Sequence, residues 1–474
     1  MKFPITGPAY EHASQDVNNQ RSVNFYVSSG GPEGRSPAAL MPTPGLKEVI
    51  DLSGSNVRAL MKFDSRIYAV MDSTLYEIIY DESAQTATSV TIGTIGSAEG
   101  QLLWDRNPTQ IMIADSEKGY ILTPSTNTLA EITDADFTGA STLTFFDSYF
   151  VYNTPNASTM FSTASNDGST ISALDVATAE GRSDKLVAVI NDKRELWAFG
   201  EDTVEIWYNA ANTTGFPFSR REGAFLDLGC AAALSVIQFN NSLVWLDRRG
   251  FILMADGYGA KVISSEAISK EIRSYAETSD AWAFQFTDRG NLFYVITFPT
   301  AKKTWAYNAA NGTWCEMAYW TGSEFEHHLA NCHLRFNQSD LVGDRKSGKI
   351  YVLDANTYKD GSDTIHRLRS TQFINQEFHQ FGVNCLEVHL ESGKALSTGT
   401  GSDPQIMMRY SNDGGYVWSY EMARSMGKIG EYSKRVRWNR LGTAREWLFE
   451  FRITDPIGFS IIDASLDLEG TLNG

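Results

Sequence analysis

Apolar and polar residues alternate along most of the chain in short runs broken by Asp, Asn and Gly, a period of two that marks strands rather than helices. Seven segments share one design: a strand, a polar turn and a second strand. They are RIYAVMDSTLYEI (66–78), QIMIADSEKGYILT (110–123), YFVYNTPNASTMFST (149–163), RELWAFGEDTVEIWY (194–208), SLVWLDRRGFILMA (242–255), NLFYVITFPTAKKTWAYN (291–308) and DLVGDRKSGKIYVLD (340–354). Their starts lie roughly 40 to 50 residues apart, the blade period of a β-propeller. One such sheet cannot bury both faces, whereas a ring of sheets can, and closure shelters the edges. The pattern predicts six or seven blades, one of them completed by a strand from a chain terminus. It leaves open which hairpin that blade contains.

The flanks differ from this middle. SSGGPEGRSPAALMPTPGL (28–46) is rich in Gly, Pro and Ser, and predicts an extended arm over 1–48 with little core of its own. Such an arm commonly lies across a neighbouring surface. The propeller then occupies 49–357. From 358 to 474 the strands lengthen and the blade period stops. QFGVNCLEVHLES, QIMMRYSNDGGYVWSYEM, SKRVRWNRLG, EWLFEFRITDP and SIIDASLDLEG read as a β-sandwich-like domain. Helical spacing is scarce; SSEAISKEIRSYAE (264–277) sets Ile268, Ile272 and Tyr275 near one face. The fold class is all-β.

Composition supports the strands: 42% of the 474 residues are hydrophobic, with 26 Phe, 20 Tyr and 11 Trp. The net charge of −17 gives no general reason to grip nucleic acid, which needs clustered Lys and Arg. An acidic wall would repel a passing duplex and let it slide; solubility alone explains the charge equally well. Cys230, Cys315, Cys332 and Cys385 are widely spaced and form no C-x-x-C pair, which predicts reduced thiols and intracellular synthesis. The N-terminal MKFPITGPAYEHAS has no apolar run of signal-peptide length, and no stretch is long enough for a membrane span.

Four stretches carry residue types that do chemistry. In RYSNDGGYVWSYE, Ser411, Asp413, Gly415 and Trp418 form S-x-D-x-G-x-x-W, which resembles the Asp-box turn of sialidase propellers. Its physical reading is a hairpin turn. Asp413 accepts backbone N–H groups, a Gly takes positive φ, and Trp418 folds against the base. The full pattern occurs once and outside the propeller repeats, which favours a structural turn over sugar chemistry. EFEHHLANCHLRF offers Glu324, Glu326, His327, His328, Cys332 and His333, but successive histidines on a strand face opposite ways and the spacing fits no strong metal pattern. EGRSDKLVAV supplies Glu180, Arg182 and Asp184, an acid–base pair or an ordinary ion pair. SKRVRWNRLG sets Lys434, Arg435, Arg437 and Arg440 around Trp438; this is a possible nucleic-acid contact or, more in keeping with an acidic chain, a solvated or subunit-facing strand. No P-loop, G-x-S-x-G or H-E-x-x-H motif is present, and no catalytic, cofactor-binding or metal-binding residue is assigned.

The segment FSTASNDGSTISALDVATAEGRSDKLVAVINDKRELWAFGEDTVEIWYNA, followed by FPFSRREGAFLDLGCAA, is similar to the tail hub or nozzle proteins of short-tailed bacteriophages, also called packaged DNA stabilisation proteins. RSVNFYVSSGGPEG…LMPTPGL, DLVGDRKSGKIYVLD and SNDGGYVWSYE…RVRWNRLG…FEFRITDP extend the resemblance over nearly the whole chain. The resemblance implies a non-enzymatic virion protein that needs no cofactor. It implies a homo-oligomeric ring, usually a hexamer, below the portal and its adaptor. Such a ring extends the DNA exit channel, retains the packaged genome, contacts passing DNA without reading its sequence, and docks tail fibres or spikes. The alternative is a glycan-binding or glycan-hydrolysing propeller, since propellers host many activities. A sensor or scaffold propeller of cellular origin is a third reading.

Overall fold

Each of the seven predicted hairpins forms the two middle strands of a four-stranded antiparallel blade in the computed structural model. The structure describes all residues except 1, 4, 10, 12–17, 32, 33, 35, 180–183, 378 and 470–474. Blades 1 to 6 span 57–94, 103–131, 142–178, 186–226, 237–262 and 282–316. Blade 7 combines Ala330–Phe336, Ser339–Asp344 and Lys349–Asp354 with Gly45–Asp51 from near the other end of the chain. Seven blades therefore close the ring, and the completing strand is N-terminal.

Local sequence chemistry sets the hairpins. The first turn of blades 3 to 6 places two consecutive residues at positive φ: Asp147 and Ser148, Lys193 and Arg194, Asn240 and Asn241, Arg289 and Gly290. This is the turn whose twist matches that of paired strands. Only some of these residues favour that conformation, so tertiary packing holds the Lys193–Arg194 pair against its preference.

Apolar side chains fill the space between blades. Ala59, Tyr68, Ile113 and Leu122 meet between blades 1 and 2, and Phe199, Val204, Trp245 and Leu253 between blades 4 and 5. Directional hydrogen bonds fix how each blade is rotated against the next. Phe145 N–H donates to Asp105 Oδ2 at 2.6 Å, Val189 N–H to Thr142 Oγ1 at 2.7 Å, and Gln238 Nε2 to Asn191 O at 2.7 Å. Tyr294 O–H donates to Ser235 O at 3.2 Å, and Asn331 Nδ2 donates to Val57 O at 2.9 Å across the closing seam. At that seam Gly343 leaves no room for a side chain: a Cβ there would lie 2.6 Å from Val57 Cβ and 2.7 Å from Cys332 Sγ. The predicted helix forms over Glu266–Arg273, with Ser265 accepting from Ile268 N–H as its N-cap and Ile268 and Ile272 buried.

The C-terminal strands pack as two sheets around one core. One sheet runs Phe25–Ser29, Ala38–Pro42, Ile461–Glu469, Phe381–Leu390 and Val436–Ala444, with Lys2–Phe3 also pairing on Ile461–Glu469. The other runs Ser22–Val23, Arg367–Ser370, Glu446–Ile453, Gln405–Ser411 and Met422–Ser425. Trp438 and Trp447 are fully buried between them, together with Phe25, Leu40, Met408 and Phe451. Burying each such side chain contributes about 1.5–3 kcal/mol.

The N-terminal arm is extended, as its composition predicts, and it is laid across this chain's own sheets. Its strands Phe25–Ser29 and Ala38–Pro42 belong to the sandwich, and Gly45–Asp51 crosses residue 48 to complete blade 7. Ser22–Val23 does more. It pairs in parallel with blade 6 through Val23 and Glu316, and antiparallel with the sandwich through Ser22–Arg369 and Val23–Leu368. Propeller and sandwich thus share one continuous ten-stranded sheet.

Candidate functional site

Three places were candidates for function: the propeller axis, the joint between propeller and sandwich, and the stretches singled out by sequence. The axis is closed to anything large. Its mouth is a cavity of about 260 Å³ lined by the innermost strands, including Leu60, Trp104, Leu143, Ile190, Ile237 and Phe284. A duplex, whose major groove alone is about 12 Å wide, cannot enter it.

The joint is built from buried polar groups. Arg21 Nε and Nη2 donate to the Glu316 carboxylate at 3.0–3.1 Å, and Lys303 Nζ reaches its other side at 2.9 Å. Burial alone would raise the Glu316 carboxyl, but Arg21 and Lys303 outweigh it and hold it below the usual carboxylate range. Asn24 stands at φ 56° and works as a pin. Its side chain donates to Ala318 O at 2.8 Å and His366 O at 2.9 Å, and accepts from Ala318 N–H at 2.8 Å. Arg369 is fully buried and donates to Ile5 O at 3.0 Å and Gly7 O at 2.8 Å, tying the arm down. Two positions earlier on the same strand, burial pushes the Arg367 guanidinium down to about 10, and it pushes the carboxyl of Asp360, the acid facing Arg367, up to about 7. No short sequence motif announces this cluster: Arg21 and Glu316 are 295 positions apart, and only the fold brings them together.

The Asp-box turn is a hairpin loop between Gln405–Ser411 and Met422–Ser425. Ser411 Oγ donates to Asp413 Oδ1 at 2.7 Å and accepts from Gly415 N–H at 2.9 Å; Asp413 Oδ1 also accepts from Val417 N–H at 2.9 Å. Gly414 and Gly415 take φ of 78° and 94°. The Arg409 guanidinium lies 4.6 Å from the Trp418 ring. The hairpin's second strand begins at Met422, later than the alternation of YVWSYE suggests, because Tyr416, Val417 and Tyr420 stand exposed in the loop. Ser411 Oγ and Asp413 Oδ1 are both spent on the turn itself.

The basic strand is similarly occupied. Arg435 forks onto the Glu387 carboxylate at 2.7 and 2.8 Å, and Arg437 Nε joins it at 2.8 Å. Trp438 is in the sandwich core and donates to Met422 O at 2.8 Å. Arg440 is exposed at φ 58°, and Lys434, six positions earlier, is exposed as well.

The histidine-rich stretch is pulled apart. Glu326 binds Arg345 and Lys346 at 3.0 Å and Lys302 at 3.2 Å, and its carboxyl falls to about 2. Burial, helped by Arg345, lowers His327 to about 3 and His328 to about 4. His333 pairs with Asp340 at 3.0 Å, Glu324 binds Lys302 at 3.2 Å, and Cys332 packs at the closing seam against Val57 O. Among the described residues no three His, Cys, Asp or Glu side chains are grouped to hold a metal ion. Glu180 and Arg182 lie outside the described residues; Asp184 accepts from Asp202 N–H at 2.9 Å and Thr203 N–H at 3.1 Å.

Two family models match the chain. One, described as bacteriophage P22 Gp10, beta-propeller, matches residues 1–358; the other, described as bacteriophage P22 Gp10, beta-sandwich, matches residues 366–469. No curated protein matches. Among solved structures, the chain is similar to the WD40 beta propeller domain of Doa1, at 11% identity over 65% of this chain and 96% of that one, with a TM-score of 0.41. It is also similar to the extracellular domain of the putative hybrid two component system BT4673 from B. thetaiotaomicron, at 9% identity over 72% of this chain and 43% of that one, TM-score 0.45. The computationally designed Ika8 protein gives 10% identity over 65% and 99%, TM-score 0.37.

Proposed function

The chain belongs to the bacteriophage P22 Gp10 family and is a structural protein of the phage tail, and on that premise we propose that it is one wedge of a ring below the portal and its adaptor. Copies side by side, six by the family resemblance, would form a tube that extends the exit channel, helps retain the packaged genome and offers docking for fibres or spikes. The observation that carries this reading is the axial cavity of about 260 Å³. A passage for DNA has to be built between copies, with the stiff propeller as the wall. The shared ten-stranded sheet supports it, because it makes propeller and sandwich one mechanical body.

The net charge of −17 suits a wall that DNA slides past without sequence readout. The work is steric, and the protein acts without catalysis. The test is imaging of purified virions at side-chain resolution, together with mass in solution with and without the adaptor. A chain found outside the tail would overturn the reading, and so would one that stays monomeric in the assembled particle.

A further inference from the structure

The ten-stranded sheet gives the molecule two ends. It starts at Trp282–Asp288, the innermost strand of blade 6, and finishes at Met422–Ser425. That last strand lies five strand spacings beyond the outer strand of blade 6, about 24 Å further along the sheet. Among the described residues, Met422–Ser425 is an edge of one sandwich sheet and Val436–Ala444 an edge of the other. The two run side by side: Arg424 Nε donates to Arg437 O at 3.0 Å, and Trp438 Nε1 to Met422 O at 2.8 Å. With loops 412–421 and 426–435 they make the far wall of the sandwich. In a ring of seven blades, the junction of blades 2 and 3 lies across the axis from blade 6. The outer rim of blades 2 and 3 is therefore the other end.

These ends carry opposite charge. From 422 to 445 there are seven Lys and Arg and one acid, Glu431. Glu387 holds Arg435 and Arg437, but Arg424, Lys428, Arg440 and Arg445 are exposed and have no carboxylate partner among the described residues. From 107 to 179 there are eight Asp and Glu and one cation, Lys118, which Glu131 takes at 2.7 Å. Asp134 and Asp136 accept from Ile171 N–H at 3.0 Å and Ala173 N–H at 2.9 Å, which sets them against the outer strand Asp167–Thr178. They and Asp175 have no cation partner among the described residues. Apolar exposure is concentrated in the same two places. The six most exposed large hydrophobic side chains described are Tyr416, Val417, Tyr420, Ile429 and Tyr432 on the wall, at 62–79%, and Leu174 on the rim, at 80%.

We propose that the sandwich wall of one copy docks on the blade 2–blade 3 rim of the next. The inference rests on the ring proposed above and names its two mating surfaces. Each surface supplies the charge that the other lacks, and Leu174 of one copy meets the apolar side chains of its neighbour's wall. The contact is heterologous, because its halves lie at opposite ends of the chain's fold, and repeated head to tail it closes a ring. A two-fold pair is disfavoured, since wall on wall or rim on rim sets like charges together. A nucleic-acid duplex would meet the cations but leave the five apolar side chains and the acidic rim without a partner.

The test is charge reversal in the full chain, in cells producing phage, read as incorporation into purified tails. R440E/R445E acts on the wall and E131K/D175K on the rim. Each double variant alone should enter tails at least about tenfold less than the parent. A chain carrying all four changes should enter tails again, and so should the two double variants made together, in equal amounts. Recovery of this kind cannot come from chains that fail to fold. Full incorporation of either double variant alone would overturn the inference, as would failure of both the four-change chain and the mixture. R440E/R445E tails that assemble fully but lose hold of the genome would assign the wall to nucleic acid and overturn it too. In all these outcomes a parent chain present in tails leaves the tail placement standing; a parent absent from virions would strike both.

Discussion

Arg21 and Glu316, 295 positions apart, clasp each other through the fork of a guanidinium on a carboxylate whose side chain is 3% exposed. The pair sits where Ser22–Val23 joins blade 6 to the sandwich. Replacing Arg21 by Met leaves Glu316 with Lys303 alone. Arg21 is itself a third exposed, so the loss should be roughly 2 kcal/mol, less than for a fully buried pair. Because the folded Glu316 carboxyl lies below its ordinary value, its contribution is complete above the unfolded pKa and is lost as pH falls through the folded one. Urea unfolding of wild type and Arg21→Met across the acid range should show the two curves converging at low pH; a constant gap would refute the electrostatic account.

Acid should also act through two histidines. His327 and His328 stay neutral in the fold, at about 3 and about 4, because burial disfavours their charged forms. Below their ordinary value of 6.5 the unfolded chain binds protons that the folded chain refuses, so stability falls as pH falls from there toward 4. His328→Asn keeps an acceptor in place of Nδ1, which takes Ala330 N–H at 3.2 Å. From about pH 7.5 to about pH 5 the parent should lose roughly 2 kcal/mol more than this variant. Parallel curves would show that His328 does not titrate on unfolding.

Gly343→Ala should loosen ring closure. The new methyl meets Val57 and Cys332 with no free space, and overpacking of this kind costs about 1–3 kcal/mol. The thermal midpoint should fall, and amides at both Val57–Phe63 and Ser339–Asp344 should exchange faster together. Faster exchange confined to one of the two strands would argue that the seam is not a cooperative unit.

Ser411→Ala removes the hydroxyl that Gly415 N–H and Asp413 share. The cost should be about 1 kcal/mol, with faster exchange over 412–421. Incubation of the parent protein with sialosides and host polysaccharides should yield no cleavage; turnover abolished by Asp413→Ala would restore the glycan reading.

The strands legible in the sequence are those with two-sided apolar demand. A blade's middle pair, such as RIYAVM and TLYEIIYD in blade 1, packs against neighbouring blades on both faces and so carries dense apolar runs on either side of a polar turn. Outer strands are more exposed and their pattern fades: neither Thr86–Thr94 nor Gly259–Val262 contains a buried residue. Gly, Pro and Ser make the arm legible as extended, but nothing in them shows its pairing. Ser22–Val23 is two residues long, and side-chain pins from Asn24, Arg21 and Arg369 hold it, none of which has a periodic signature. The Asp-box was legible because its turn chemistry is local. The Arg435–Glu387 fork was not, since its partners are 48 positions apart.

Blade 7 also sets a clock on synthesis. Asp51 finds its partner in Lys349, so the ring cannot shut until about 300 further residues have left the ribosome. At roughly 5–20 residues per second that takes about 15–60 s, during which the nascent chain is an open arc with two raw ends. A subunit shortened anywhere before residue 349 never latches, and only finished chains reach the shape that can take a place beside their neighbours.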